Sequence, residues 1–208
     1  MKKLMILAMA ALFTVSANAQ VRRTTSTYRK APSRVVQKRE TTFLRPMVGI
    51  NMANITNSEA DMKLGLNAGA EVMFEAAPKF AVSVGALYSM QGAKYSESGI
   101  TAKLNLDYIN IPVLANFYVA EGFALKAGIQ LGFKASAKEK YEGGGVSESE
   151  DLGSAVEGTT FAIPLGFSYD FSDFFIDGRY NLGITNWAKG GDSKHSVFSV
   201  TLGYKFPL

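Results

Sequence analysis

FALKAGIQLGFK, residues 123–134, places Phe123, Leu125, Ala127, Ile129, Leu131 and Phe133 on every second position. Between them stand Ala124, Lys126, Gly128, Gln130, Gly132 and Lys134. Side chains alternate across a strand, so this period of two makes one apolar face and one face of glycine, lysine and glutamine. A helix does not fit. Steps of about 3.6 residues from Phe123 reach Ala127, Gln130 and Lys134, which form no apolar stripe. The stretch is about twice the usual strand length of roughly 5–6 residues. At about 3.4 Å per residue and a tilt of about 45°, it rises roughly 29 Å, close to the roughly 25 Å apolar band of a membrane-spanning barrel.

The same alternation recurs along the chain. It predicts strands at about 44–54, 63–75, 79–91, 104–118, 123–134, 159–170, 174–185 and 196–206. Three connections are tight, near 75–79, 119–122 and 171–173. Four are longer, at about 55–62, 92–103, 135–158 and 186–195. Short turns alternating with long loops are the pattern of a membrane barrel, with the tight turns on the periplasmic side. The expectation is an all-β fold: an eight-stranded antiparallel up-and-down transmembrane β-barrel. Eight strands put both ends of the barrel on the tight-turn side.

Alternation does not say which face turns outward. A soluble ligand-binding barrel would turn its apolar face in, and a membrane barrel turns it to lipid. Three features favour lipid. The less apolar face is rich in glycine (Gly65, Gly69, Gly85, Gly128, Gly132, Gly166, Gly183, Gly203) and poor in charge, whereas a soluble surface is about 25–35% charged. The charges it does carry are Glu71, Lys126, Lys134, Asp177, Arg179 and Lys205. Both signs are present, and buried charges need opposite partners, so these six are expected to form a network inside the lumen. Finally, Phe74, Phe80, Phe117, Phe123, Phe174, Tyr204 and Phe206 lie beside tight turns or the chain end, where an aromatic girdle meets the lipid interface.

The N-terminus reads as an export signal. Lys2 and Lys3 precede an apolar run at 4–15, and Ala17-Asn-Ala19 precedes Gln20. A basic start, an apolar middle and an A-x-A site, in that order, mark a cleavable signal peptide over 1–19. The apolar run is too short to cross a bilayer as a helix. Residues 20–43 are polar, without a sustained period, and read as a flexible arm. Arg22, Arg23, Arg29, Lys30, Arg34, Lys38 and Arg39 oppose Glu40 there, a balance of +6. Residues 44–208 hold 13 basic and 17 acidic side chains, a balance of −4. The formal charge of +4 for all 208 residues therefore belongs to the leader and arm. A basic tail on an exported chain gives no reason to expect nucleic acid as a partner. The arm is expected in the periplasm, where its arginines suit anionic lipid headgroups or an acidic partner.

Little here points to catalysis. The chain has no cysteine, which excludes disulfides and a thiol nucleophile. Its one histidine, His195, sits beside Lys194 in the last long loop and reads as a solvated loop residue. Residues 142–154, EGGGVSESEDLGS, lack the spacing of a calcium loop and read as an acidic, flexible outer loop. The triple glycine lacks the Lys-Ser/Thr of a phosphate loop. No catalytic residue, cofactor or metal site is expected.

The signal ending in ANAQ, the stretch PMVGINMAN (46–54) and the stretch LDYINIPVLANFY (106–118) together resemble the outer-membrane β-barrel domain labelled "porin family" in Gram-negative bacteria. The resemblance covers about 44–208. It implies eight strands, a surrounding of outer-membrane lipid, insertion by the outer-membrane assembly machinery, and no catalytic residues. Such barrels often end in an aromatic residue that the machinery reads. Here Pro207 and Leu208 follow Phe206, which displaces that signal by two residues. An eight-stranded barrel is just wide enough for its own side chains. The expected function is therefore a structural or surface-interaction role, with an unidentified extracellular or periplasmic partner. A narrow channel for ions or small solutes is the alternative, and a secreted ligand-binding barrel a further one.

Overall fold

The computed structural model describes residues 41–208, apart from 57–60, 98–99 and 144–145. The expected signal peptide, and the expected arm up to residue 40, lie outside the described residues. The strands are β1 (Thr42–Ile55), β2 (Asp61–Ala77), β3 (Phe80–Glu97), β4 (Ile100–Ala120), β5 (Phe123–Gly143), β6 (Val146–Asp151), β7 (Thr159–Phe171), β8 (Phe174–Asn186), β9 (Lys194–Tyr204) and β10 (Phe206–Pro207). Consecutive strands pair antiparallel, with β7 following β5 in the sheet. The sheet closes where β1 pairs β9, from Met47–Gly203 to Ile55–His195. Short β6 pairs β5 outside this path, and β10 continues β9 along β1 in the same register, so the barrel itself has eight strands.

The register sets the width. Starting at Thr42, the facing residues run through Phe74, Val82, Ala115, Ala127, Leu165, Tyr180 and Phe198. Phe198 then faces Met52, so the row returns to β1 ten residues from its start. Eight strands about 4.8 Å apart, staggered by ten residues of about 3.3 Å each, tilt by roughly 40° and enclose a radius of roughly 8 Å to the Cα atoms. Such a tube has room for side chains and little else.

All eight expected strands are present, and each turns its apolar set outward. Ile129 is 63% exposed while its chain neighbours Gly128 and Gln130 face the lumen, Gln130 at 7%. Two-residue turns join β2 to β3 at Pro78-Lys79, β4 to β5 at Glu121-Gly122, and β7 to β8 at Ser172-Asp173. Gly122 and Ser172 have positive φ, 72° and 59°. Left-handed residues of this kind let so short a loop reverse the chain.

The long connections differ from expectation. Most of 92–103 is strand, since β3 runs to Glu97 and β4 starts at Ile100. The acidic stretch expected as a flexible loop is largely a hairpin: Lys138–Gly143 of β5 pair with Asp151–Val146 of β6. Backbone pairing carries this extension where no apolar alternation signals it. β1 also begins two residues before the expected boundary, at Thr42. At the other end, Phe206 and Pro207 pair with Leu44 and Phe43, and the Leu208 amide donates to the Thr42 carbonyl at 3.0 Å. The closing seam thus extends to Leu208. Leu208 continues the outward set Leu202, Tyr204 and Phe206, so the two residues past Phe206 stay in register.

Candidate functional site

Four buried charges meet in the middle of the lumen. Glu71 comes from β2, Lys126 from β5, and Asp177 and Arg179 from β8; each is at most 5% exposed. Period two explains why they point in: each shares the parity of the glycines and amides on its own strand. Arg179 Nη1 donates to Glu71 Oε1 at 2.8 Å. Its Nε and Nη2 donate to the two Asp177 carboxylate oxygens at 3.1 and 3.0 Å. Lys126 Nζ pairs with Asp177 Oδ2. Two cations and two anions cancel, and the fork of Arg179 on Asp177 is the strong two-point form of such a pair. Gly85 stands opposite Glu71, and a Cβ there would lie 2.5 Å from Glu71 Cγ.

The other two charges expected in this network lie elsewhere. Lys205 sits at the tight-turn end, 3.4 Å from Asp170 Oδ2 and 4.9 Å from the centre of the Phe43 ring. Lys134 sits towards the long-loop end, where its Nζ donates to the carbonyls of Gly153 and Val156.

A second ionic cluster at the tight-turn end is one that the sequence reading missed. Arg45 is fully buried and donates through Nη2 to Asp170 Oδ1 at 3.1 Å. Its guanidinium carbon lies 3.7 Å from the centre of the Phe175 ring, a cation–π geometry. Nη1 approaches the Met73 sulfur at 3.2 Å, and the Tyr118 hydroxyl donates to Asp170 Oδ2 at 3.4 Å. Parity could have found both ions. Arg45 alternates with Met47, Gly49 and Asn51, and Asp170 with Ser168 and Gly166.

His195 corrects another expectation. It lies inside the barrel at the start of β9, 6% exposed, rather than in a solvated loop. Its Nε2 is 3.3 Å from the Tyr108 hydroxyl, and the rings meet edge to face at 5.2 Å. Tyr108 packs with Leu106, Ala137 and Val156, bordered by Leu104, Leu152 and Trp187. Between this cluster and the four charges, neutral polar groups of Gln91, Asn110, Gln130, Asn181 and His195 line a cavity of about 20 Å³. That is about the room for one water molecule. Among the described residues no group of three His, Cys, Asp or Glu side chains could hold a metal ion.

Outside, the seven aromatics expected as a girdle stand at the tight-turn end. The Phe80 and Phe117 rings lie 5.0 Å apart, as do Phe174 and Tyr204, and Tyr204 and Phe206 lie 4.5 Å apart. Phe123 stacks on Phe167 at 6.1 Å, and Phe74 is 51% exposed.

A closed antiparallel barrel with apolar side chains outside and charges within is the architecture of a bacterial outer-membrane protein. Residues 37–189 match the family model described as outer membrane protein beta-barrel domain, and the chain belongs to that family. It is an outer-membrane β-barrel. Among solved structures it is similar to Ail, the attachment invasion locus protein of Yersinia pestis, with a TM-score of 0.50 and 20% identity over 80% of this chain and 99% of that one. Ail in complex with the heparin analogue sucrose octasulfate gives a TM-score of 0.47 and 18% identity over 80% and 99% of the two chains. Neisserial surface protein A gives 0.48 and 11% over 80% and 97%. Comparison with curated proteins gives no match.

Proposed function

We propose that this protein is a structural or surface-interaction barrel of the outer membrane, its lumen plugged by its own side chains rather than open as a pore. The observation that supports this reading is the neutral group Glu71–Arg179–Asp177–Lys126, which spans from β2 to β5 and β8 across a tube of roughly 8 Å radius. Ions crossing there would have to displace paired, desolvated charges. The tight-turn end, with its aromatic girdle, faces the periplasm, and the long-loop end with the β5–β6 hairpin faces outward to a partner. The reading involves no catalysis.

Two further roles belong to this proposal. The basic arm, which ends before β1 begins at Thr42, contacts anionic headgroups or an acidic periplasmic partner. The outward set at the end of β9 and in β10 is what the assembly machinery reads. Planar-bilayer recording tests the plug. Negligible conductance is expected; large steady steps would replace the plug with the narrow-channel reading. For the arm, deletion of residues 22–40 is expected to weaken association with anionic vesicles or a periplasmic pull-down, and unchanged association would remove that role.

A further inference from the structure

We propose that residues 152–158 are a strap closing the long-loop mouth of the barrel, and that Lys134 is its latch. Lys134 belongs to β5 and faces the lumen, opposite Tyr108 of β4. Its ammonium donates to the Gly153 carbonyl and, at 2.9 Å, to the Val156 carbonyl. Carbonyls turned into a barrel mouth need a donor there, and an ammonium offers three. The Lys134 amide also donates to the Gly158 carbonyl at 3.0 Å, so one residue holds the segment at three of its carbonyls.

What the latch holds down is apolar. Val156 is 1% exposed and packs against Leu106, Tyr108 and Ala137. The strap is tied on its far side as well. The Glu157 amide donates to the Trp187 carbonyl at 2.8 Å, and the Lys189 amide to the Ala155 carbonyl at 3.0 Å. Below Val156 come the Tyr108–His195 pair and then the polar cavity that Asn181 helps to line. This barrier lies above the four central charges and does not depend on them. It goes beyond the plug, because the strap closes the mouth whether or not the middle of the lumen conducts.

The chain lacks cysteine, so a single Ala137→Cys reporter, packed directly against Val156 beneath the strap, is clean. Labelling by a membrane-impermeant maleimide is followed on the full chain in native outer membrane. With Lys134 in place labelling is expected to be slow, and with Lys134→Arg it stays slow because the donors are kept. Lys134→Met is expected to speed it roughly tenfold, equivalent to about 1.4 kcal/mol in the opening equilibrium. Wild-type labelling in a Lys134→Met barrel that keeps its heat-dependent gel shift would overturn the latch. If Lys134→Met does not form a heat-shifting barrel, Val156→Ser decides: it unseats the strap without touching Lys134. Fast labelling then supports the strap and slow labelling overturns it. Conductance is read separately, so an open middle with a closed mouth remains distinguishable.

Discussion

Arg179 on β8 meets Glu71 on β2 across the lumen, 108 residues away in the chain, at 2.8 Å between Nη1 and Oε1. The same guanidinium grips Asp177 two residues before it. Arg179 is thus the one cation shared by both central carboxylates; replacing it strands the buried Glu71 and leaves Asp177 with Lys126 alone. Removing one partner of a buried pair costs about 3–5 kcal/mol. Arg179→Ala is expected to lose stability on that scale in urea titrations of the barrel in lipid vesicles, and to raise its conductance in planar bilayers. Exchanging the two charges (Glu71→Arg with Arg179→Glu) is not expected to rescue it, because the new glutamate would face Asp177.

Gly203 and Phe175 face each other on β9 and β8. A Cβ on Gly203 would lie 2.3 Å from Phe175 Cζ, so the glycine is the seat of the ring. The ring in turn carries the Arg45 guanidinium. Gly203→Val must displace both, and overpacking of this kind costs about 1–3 kcal/mol. The same titration is expected to show that loss, with Gly203→Ala intermediate. An unchanged midpoint for both variants would mean that the ring has another place to go.

The strands and their facing were legible because lipid and lumen make opposite demands on alternate residues. Ile129 and Gln130 could be assigned to opposite sides from the sequence alone. The choice of ionic partner was not legible. It depends on the ten-residue stagger that brings β2 level with β8, and no local pattern encodes that stagger. Lys134 and Lys205 have the right parity for the lumen but the wrong depth for the central group. Arg45 and Asp170 lie close to the strand ends, where parity is easily overlooked. The β5–β6 hairpin escaped notice because it leaves the zone in which one face must be apolar. Its cross-strand neighbours, such as Lys138 and Asp151, carry no period-two signal.

His195 and Tyr108 show the same limit, being 87 residues apart and joined only by closure. A lone histidine beside a lysine in a polar stretch gives no sign of burial. In the barrel, His195→Phe keeps a ring against Tyr108 but leaves the tyrosine hydroxyl without its partner. An orphaned buried hydroxyl costs roughly 1–3 kcal/mol. A solvated histidine would lose nothing on replacement, so the unfolding midpoint of His195→Phe separates the two placements.

Ser172 is the only non-glycine residue with positive φ among the described residues, at 59° in the two-residue turn before β8. Left-handed backbone costs an L-residue roughly 1–2 kcal/mol that glycine does not bear. Ser172→Gly is therefore expected to stabilise the barrel, by up to about 1 kcal/mol once the glycine's greater freedom in the unfolded chain is subtracted. A lower midpoint in the urea titration would mean that the serine side chain makes a contact worth more than the strain.

If the assembly machinery reads the last strand, as proposed, Leu208 and Phe206 separate two accounts of how it does so. Both stand on the outward face, and the Leu208 amide closes the seam onto Thr42. If the assembly machinery reads a terminal aromatic in strand register, Phe206 is the residue that matters and the last two are an extension of the seam. Deleting Pro207 and Leu208 then leaves Phe206 terminal and keeps the heat-shifting barrel abundant in outer-membrane fractions. Phe206→Ala in the full chain lowers that abundance severalfold. The opposite result, assembly lost with the deletion and kept with Phe206→Ala, would assign recognition to Leu208. An apolar outward side chain at the final position, aromatic or not, would then be what the machinery requires.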